Sequence, residues 1–311
     1  MQPDSSIDGR DDRVDNDTIG VILNPAAAGG KTIKLLPLIA ETLDRSGRRH
    51  DIYVTSFAGE TMGVGRQMLA QGHGTLVAIG GDGTINEVAS AILESGEDAT
   101  LGIIPSGHGS DLARTLAIPK ETDKALYRIL RGSKRHIDAG MAQFDDGSRR
   151  HFVNVAGLGF DSVVARYAMA SKLPGSTLPY IIGVLKTMRV YKNMEMKIEA
   201  GDQSFEGRAC SVIVANAKFF AGGMKIAPMA DIADGKLDIA ILGDLGRFEL
   251  ARATPSVYKG NHVNHKKFTH FPATEIRVTT ERAAIVQVDG ELASETPVTF
   301  SVQPGALQVF V

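Results

Sequence analysis

The 311-residue chain has one cysteine, no tryptophan and no long apolar run. The single thiol, Cys210 in ACSVIVA, excludes an internal disulfide and suits a reducing compartment. The most apolar stretch, LPYIIGVL at 178–185, falls far short of the ~20 residues that span a bilayer. A dominant charge is also lacking. Thirty-four basic against 36 acidic residues give a formal net charge of −2, which argues against general nucleic-acid binding. The asymmetry that exists is local: residues 1–17, MQPDSSIDGRDDRVDND, carry six aspartates against Arg10 and Arg13, so 32 basic and 30 acidic residues remain beyond them. Few apolar side chains there predict a disordered acidic tail, without the basic-then-apolar layout of a signal peptide. The expectation is a cytoplasmic protein whose membrane contact is at most peripheral.

What is present is glycine, 34 of them, and two kinds of periodicity. In the first half, β-branched runs alternate with helical patterns. TIGVIL (18–23), DIYVTS (51–56), TLVAIG (75–80) and TLGIIP (100–105) read as strands, and KLLPLIAETLD, VGRQMLAQG and the run after GGDG read as helices. This rhythm predicts a doubly wound α/β domain over 18–140 with a mostly parallel sheet. Ligands of such sheets bind beyond the carboxyl ends of the strands, where NPAAAGG, GGDG and PSGHG all fall. From about residue 137, period-two segments such as HFVNVAG, MKIEAG, RACSVIVANA, KLDIAILG and PVTFSVQ predict an antiparallel β-sandwich domain over 141–311, interrupted by a helical insert at about 161–192. The extreme C-terminus is expected to pack back on the first domain.

The turns carry the chemistry. NPAAAGGKT (24–32) ends like a P-loop, but Pro25 stands where the first glycine belongs, and proline has neither the conformational freedom nor the N–H. GGDGTINE (80–87) combines paired glycines after a strand with a helix start, a phosphate-binding arrangement. Asp82 there would repel a phosphate without an intervening Mg²⁺. A capping box of Thr84 and Glu87 accounts for those two residues, though not for Gly80, Gly81, Asp82 and Gly83 together. PSGHGSDLAR (105–114) offers Ser110 as an N-cap and Asp111 in a first helical turn, a bland account as good as a functional one. VDGELAS (288–294) reads as an Asp-Gly hairpin; set against a nucleotide, Asp289 and Glu291 become paired carboxylates, one a general base. Asp231, Asp234 and Asp238 border one turn, equally a cation site or a solvated loop, and His262 with His265 has no third ligand. In the insert, Leu178, Ile181, Leu185 and Met188 recur at helical spacing among Lys186, Arg189 and Lys192. Core packing is the favoured reading over an acyl-chain groove with a cationic rim.

Taken in order, NPAAAGG, GGDGTINEV, PSGHGSDLAR, HID, AGLGFD, ANAKFFAGGMKIAPMA with DGKLD, and VDGE resemble the diacylglycerol kinase catalytic-domain family, bacterial lipid kinase branch, which is also similar to sphingosine and ceramide kinases. The resemblance covers nearly everything beyond residue 18. It implies an ATP- and Mg²⁺-dependent kinase acting on a lipid hydroxyl at the membrane surface. NPAAAGGKT is then a phosphate loop of another lineage than the P-loop. Asn24, Pro25, Gly29, Gly30, Thr55, the run Gly80, Gly81, Asp82, Gly83, Thr84, Ile85, Asn86 and Glu87, and Gly107 with His108 match the nucleotide side. Asp82, Asp111 and Asp138 match aspartates organising Mg²⁺. Asp234, with carbonyls near Asp231 and Lys236, looks like a second, structural Mg²⁺ site. Glu291 matches the general base, with Asp289 beside it. The family usually has Thr where His108 stands and often Asn where Ser110 stands. Two rivals stay in view: a kinase of a soluble substrate such as NAD, and an inactive nucleotide or lipid sensor. A homodimer is left open.

Overall fold

The computed structural model describes residues 18–57, 59–107, 109–171 and 177–311, with the side chains of 177–180 excepted. The expected tail (1–17), His108 and Leu178's place in the helical stripe lie outside the described residues.

Four runs form the parallel layer: β1 (Ile19–Leu23), β2 (His50–Val54), β3 (Thr75–Gly80) and β4 (Thr100–Pro105), in the order β2-β1-β3-β4, with β1, β3 and β4 buried throughout and β2 alternately half-buried and exposed at the edge. Between β1 and β2 come a four-residue turn of helix, α1 (Ala27–Gly30), and α2 (Leu36–Ser46). The others are joined and flanked by α3 (Glu60–Ala70), α4 (Asp82–Ser95), α5 (Asp111–Thr115) and α6 (Thr122–Arg131). Aliphatic faces of sheet and helices close one core, including Ile22, Leu76, Ile79, Ile85, Ile103 and Ile129. Glycine stops α2 and α4 cleanly, because Gly47 and Gly96 take the left-handed conformation after the last turn.

The rest is antiparallel: β5 (Lys134–Phe144), β6 (Arg149–Phe152), β7 (Val155–Gly159), then helices α7 (Phe160–Met169) and α8 (Thr177–Val190), and β8 (Met194–Ala200), β9 (Gln203–Ala215) and β10 (Leu237–Gly243). Helix α9 (Arg247–Val257) precedes β11 (Phe268–Ala273), β12 (Glu275–Thr280), β13 (Ile285–Val288), β14 (Glu291–Glu295) and β15 (Val298–Phe310). Alternation is plain in β8, where Met194, Met196, Ile198 and Ala200 face inward and the residues between face out. Their inward faces bury a second core with Phe152 and Phe300 edge to face. The fold is therefore the expected α/β unit followed by a β-rich unit.

Strand β15 joins the two. Its first half pairs with β12 and its length with β5, and its end lies parallel to β4 through Gln308↔Thr100 and Val309↔Leu101. Thr100 Oγ1 donates to Gln308 Oε1 at 2.6 Å there. Strand β5 itself runs from Lys134 to Phe144, across residues 140 and 141 without a break.

One expectation is reversed. On α8, Gly183 and Thr187 are buried, while Ile181 and Leu185 are 49% and 56% exposed. The helix packs its small residues inward, and a Cβ on Gly183 would come within 2.9 Å of Val164 O of α7. Met188 alone of the described stripe joins the packing, against Leu250 and Tyr191. Helical spacing identifies a stripe but not which side of the helix its neighbours occupy.

Candidate active site

Because β1, β3 and β4 run parallel in register (Leu23↔Ile79, Gly80↔Pro105), the three glycine-bearing turns emerge at one edge. Asn24 N–H donates to Ile79 O and Ser106 N–H to Gly80 O, tying each turn to the next strand. Asn24 Oδ1 accepts from Ala26 N–H, and its Nδ2 donates to Thr84 Oγ1 at 3.1 Å. Ala28, Gly29 and Gly30 all have positive φ, a curl in which glycine is at ease and alanine is strained. The GGDG and PSGHG turns touch through bare backbone: a Cβ on Gly107 would lie 2.6 Å from Gly81 Cα.

Helix α4 begins at Asp82 with Gly81 as its N-cap, so Thr84 lies in the first turn, not at the cap. The capping-box reading of Thr84 and Glu87 therefore fails: Thr84 Oγ1 is taken by Asn24. Ile85 is fully buried and its N–H bonds to Gly81 O, so neither is offered to a ligand. Thr55 is buried, with Oγ1 turned to Leu23 O. Ser110 occupies the N-cap of α5, yet its Oγ bonds to Gly107 O and caps nothing.

Asp82 does the capping instead. Its Oδ2 accepts from Ser110 N–H (2.8 Å) and its Oδ1 from Asp111 N–H (2.6 Å). Asp111 in turn accepts from Gly222 and Gly223 N–H at 2.9 and 2.7 Å. Asp289 accepts from the N–H groups of Val153, Asn154 and Val155 at 2.8–3.0 Å. These three carboxyls line one cleft of about 180 Å³ with Gly109, Asn154, Gly222 and Gly290. Its far wall is apolar: Ala165, Ala168 and Met169 of α7, and Phe220. Burial pushes Asp82 up; burial and then the neighbouring Asp82 charge push Asp111 up to about 6. Burial pushes Asp289 up to about 7 despite its N–H donors.

Asp289 and Gly290, both at positive φ, make the two-residue turn between β13 and β14, so the hairpin and the carboxylate pair coexist. The pair is divided by role: Asp289 is spent on backbone, whereas Glu291 is exposed at the start of β14. The Glu291 charge acts on half-buried Glu87 of α4, which burial chiefly, and Glu291 further, push up.

Asp138 is not among the residues lining the cleft, and its two oxygens accept from Gly235 and Gly305 N–H at 2.7 Å each. Asp231 and Asp234 accept from Ala233 and Lys236 N–H within one exposed turn, Arg135 lies 3.9 Å from Asp231, and Asp238 bonds to His270. Among the described residues no three His, Cys, Asp or Glu side chains gather as a metal cluster. The buried His262 ring bonds through Nε2 to Ile226 O, and its link to His265 is a backbone one, His265 N–H to His262 O.

Three groups escaped sequence reasoning. Asn154 is 4% exposed, lines the cleft from the bend between β6 and β7 and has an Oδ1 without a hydrogen-bond partner; its signal was one amide inside the apolar run HFVNVAG. Arg114 Nη2 donates to Gly109 O, and its guanidinium lies 5.5 Å from the Phe219 ring and lowers both Asp82 and Asp111. The Gly222–Gly223 bend, whose N–H groups hold Asp111, carries no local signal beyond its two glycines.

Raised carboxyls mean that the folded chain binds more protons than the unfolded chain between about pH 4 and 7. Stability should then be largest on the acid side and fall as pH rises through 6 and 7. Buried His151 and His262, both held low by burial, tilt the other way near pH 6.5 and blunt the trend. Thermal melts from pH 5 to 8 should show this decline, with Mg²⁺ restoring Tm at pH 8 and having little effect at pH 5. A flat profile would mean that these carboxyls are not so crowded.

The cleft thus combines a glycine-lined sheet edge, clustered carboxyls and an apolar far wall. Known proteins place it more closely. Residues 18–142 match the diacylglycerol kinase catalytic domain, and 154–311 the YegS C-terminal NAD kinase beta sandwich-like domain. Relatives named diacylglycerol kinase include those of Staphylococcus saprophyticus (29% identical, 93% of this chain and 94% of that protein), Mycobacterium tuberculosis (29%, 94% of both) and Bacillus subtilis (27%, 90% and 91%). A crystal structure from Bacillus anthracis superposes with a TM-score of 0.79 at 24% identity, covering 94% of this chain and 95% of that one. The chain belongs to the diacylglycerol kinase catalytic-domain family, and it is a lipid kinase.

Proposed function

We propose that the protein transfers the γ-phosphoryl group of ATP to the hydroxyl of a diacylglycerol-like lipid, with Mg²⁺. The observation that carries this reading is the cleft itself. Carboxyls at the glycine turns line the cleft opposite the apolar wall of α7, and the Asp289–Gly290 turn, immediately before Glu291, lines it too. ATP phosphates would lie along the glycine-bearing turns that follow β1, β3 and β4, at the positive end of α4. Glu291 takes the proton of the lipid hydroxyl while its oxygen bonds to the γ-phosphorus; the bond to the bridging oxygen breaks and ADP leaves.

The donor set fits a divalent cation. Two carboxyls in mutual repulsion, each oxygen accepting a single N–H, keep lone pairs free and would be relieved by positive charge. Magnesium bound to Asp82 and Asp111 supplies neutralisation of the phosphate oxygens. Asp138 supports this from behind by holding Gly235 and Gly305. We assign Asp234, with backbone carbonyls of the Asp231–Lys236 turn, to a second, structural cation. Asp289 holds the start of β7, and with it Asn154, against the cleft.

Transfer of labelled γ-phosphate from ATP with Mg²⁺ to a panel of lipid alcohols, with NAD as the soluble control, tests the reading. Diacylglycerol in mixed micelles should be labelled. Label in NAD alone would overturn the lipid acceptor, and ATP binding without any transfer would favour a sensor.

A further inference from the structure

Between α2 and α6 lies a second groove, of about 420 Å³ against about 180 Å³ for the cleft, and the two share no residue. Its walls are cationic. Arg45 in the last turn of α2, Arg48 just ahead of β2 and exposed Arg131 at the end of α6 all line it. A single acid, Asp123, lines it with them, and Arg45 also pairs with Glu41 one turn back. The apolar part is Leu130 and the ring of Tyr127, which is 68% exposed. Because it takes in the end of α2 and the approach to β2, the groove opens toward the amino edge of the sheet, away from the glycine turns.

The acidic segment joins the fold at that same edge. Ile19, the first residue of β1, pairs with His50, and its N–H donates to Arg49 O at 2.9 Å. The chain before Thr18 therefore starts beside RSGRR (45–49), three arginines in five residues. Asp11, Asp12, Asp15 and Asp17 all lie within roughly 25 Å of extended chain from Thr18.

We propose that the groove between α2 and α6 is the seat of the acidic segment 1–17 of the same chain. The charges are complementary: six aspartates against Arg10 and Arg13 on one side, Arg45, Arg48, Arg49 and Arg131 on the other. Too few apolar side chains keep the segment from building a core of its own, but a charged surface can hold it. Tethering decides between this occupant and a free anion. A short link holds the aspartates near the groove at an effective concentration in the millimolar range, so even weak ion pairs fill it. Ile7 and Val14 then have Tyr127 and Leu130 to lie against. The inference is independent of which lipid accepts the phosphate.

Trypsin provides the test, since Arg10 and Arg13 are its cleavage sites within the segment. Release of 1–10 and 1–13 from the full chain is followed by mass spectrometry, each rate being divided by that for a synthetic 1–17 peptide of the same sequence in the same buffer. At low salt the full chain should be cut about tenfold more slowly than its peptide, and high salt should remove the difference. Arg45→Glu with Arg131→Glu should abolish the protection, with melts like the parent's because both side chains are exposed. Asp11, Asp12, Asp15 and Asp17 all changed to Asn should abolish it too, without touching the folded body. A parent cut as fast as its peptide would overturn the proposal. So would protection that the aspartates govern and the arginines do not, which would seat the segment elsewhere. Protection that rises with protein concentration would assign the segment to a second copy and overturn it. Tripolyphosphate that binds the parent at Arg45 and Arg131 while cleavage stays unchanged would make the groove a site for soluble anions, and overturn it as well.

Discussion

Glu291→Gln should lower kcat about a thousandfold while ATP affinity and Tm stay at the parent values. Glutamine keeps the size of the side chain and removes only its capacity to take a proton. Glu291 is exposed, so its replacement strands no buried partner. Its charge is felt by Glu87, so the half-buried Glu87 should ionise more readily in the variant. The measurement is steady-state phosphorylation of diacylglycerol beside calorimetric titration with ATP and a thermal melt. A variant with near-parent kcat would remove Glu291 as the base. A variant that loses ATP binding would make it a nucleotide residue instead.

Asp289→Ala should behave differently: stability falls by about 3 kcal/mol, and activity goes with it. The side chain holds three successive N–H groups at the start of β7, each within 3.0 Å. Without the carboxyl these donors are left in a closed junction, where each unmet group costs about 1–3 kcal/mol before relief from the removed, raised acid. The same N–H groups belong to the residues that carry Asn154 to the cleft wall, so the site loosens with the fold. Denaturant melts should show the loss in the midpoint. If Asp289→Ala kept its stability and lost only kcat, the residue would be a catalytic partner of Glu291 and not a clamp. The two neighbouring carboxylates are therefore separable by one pair of measurements.

The glycine turns at the sheet edge were legible in the sequence because their signals are local. Strands of β-branched residues and glycines at their carboxyl ends specify conformation within windows of a few residues, and parallel register then delivers NPAAAGG, GGDG and PSGHG to one edge. The Asp-Gly hairpin was legible for the same reason. Two local readings nonetheless failed in detail. The cap of α5 was assigned to Ser110, the nearest hydroxyl, but comes from Asp82, 28 residues earlier. Thr84 and Glu87 fit a capping pattern whose N-cap place belongs to Gly81.

What only the tertiary structure decided involves residues far apart in the chain. Asp111 meets Gly223 across 112 residues, and Asp289 meets Val153 across 136. No window of sequence contains both partners, and a carboxylate reads the same whether it will bind a cation or hold a backbone N–H. Asp138 is another case: its oxygens accept from Gly235 and Gly305 N–H, 97 and 167 residues further along the chain. Helix α8 shows another, since periodicity defines its stripe while packing on α7 decides that Gly183, not Leu185, faces inward. The sequence by itself determined the class of fold, the glycine turns and the hairpin that precedes Glu291, because those follow from local conformational preference. Which carboxyls converge, and which face of the insert meets solvent, followed only from long-range packing.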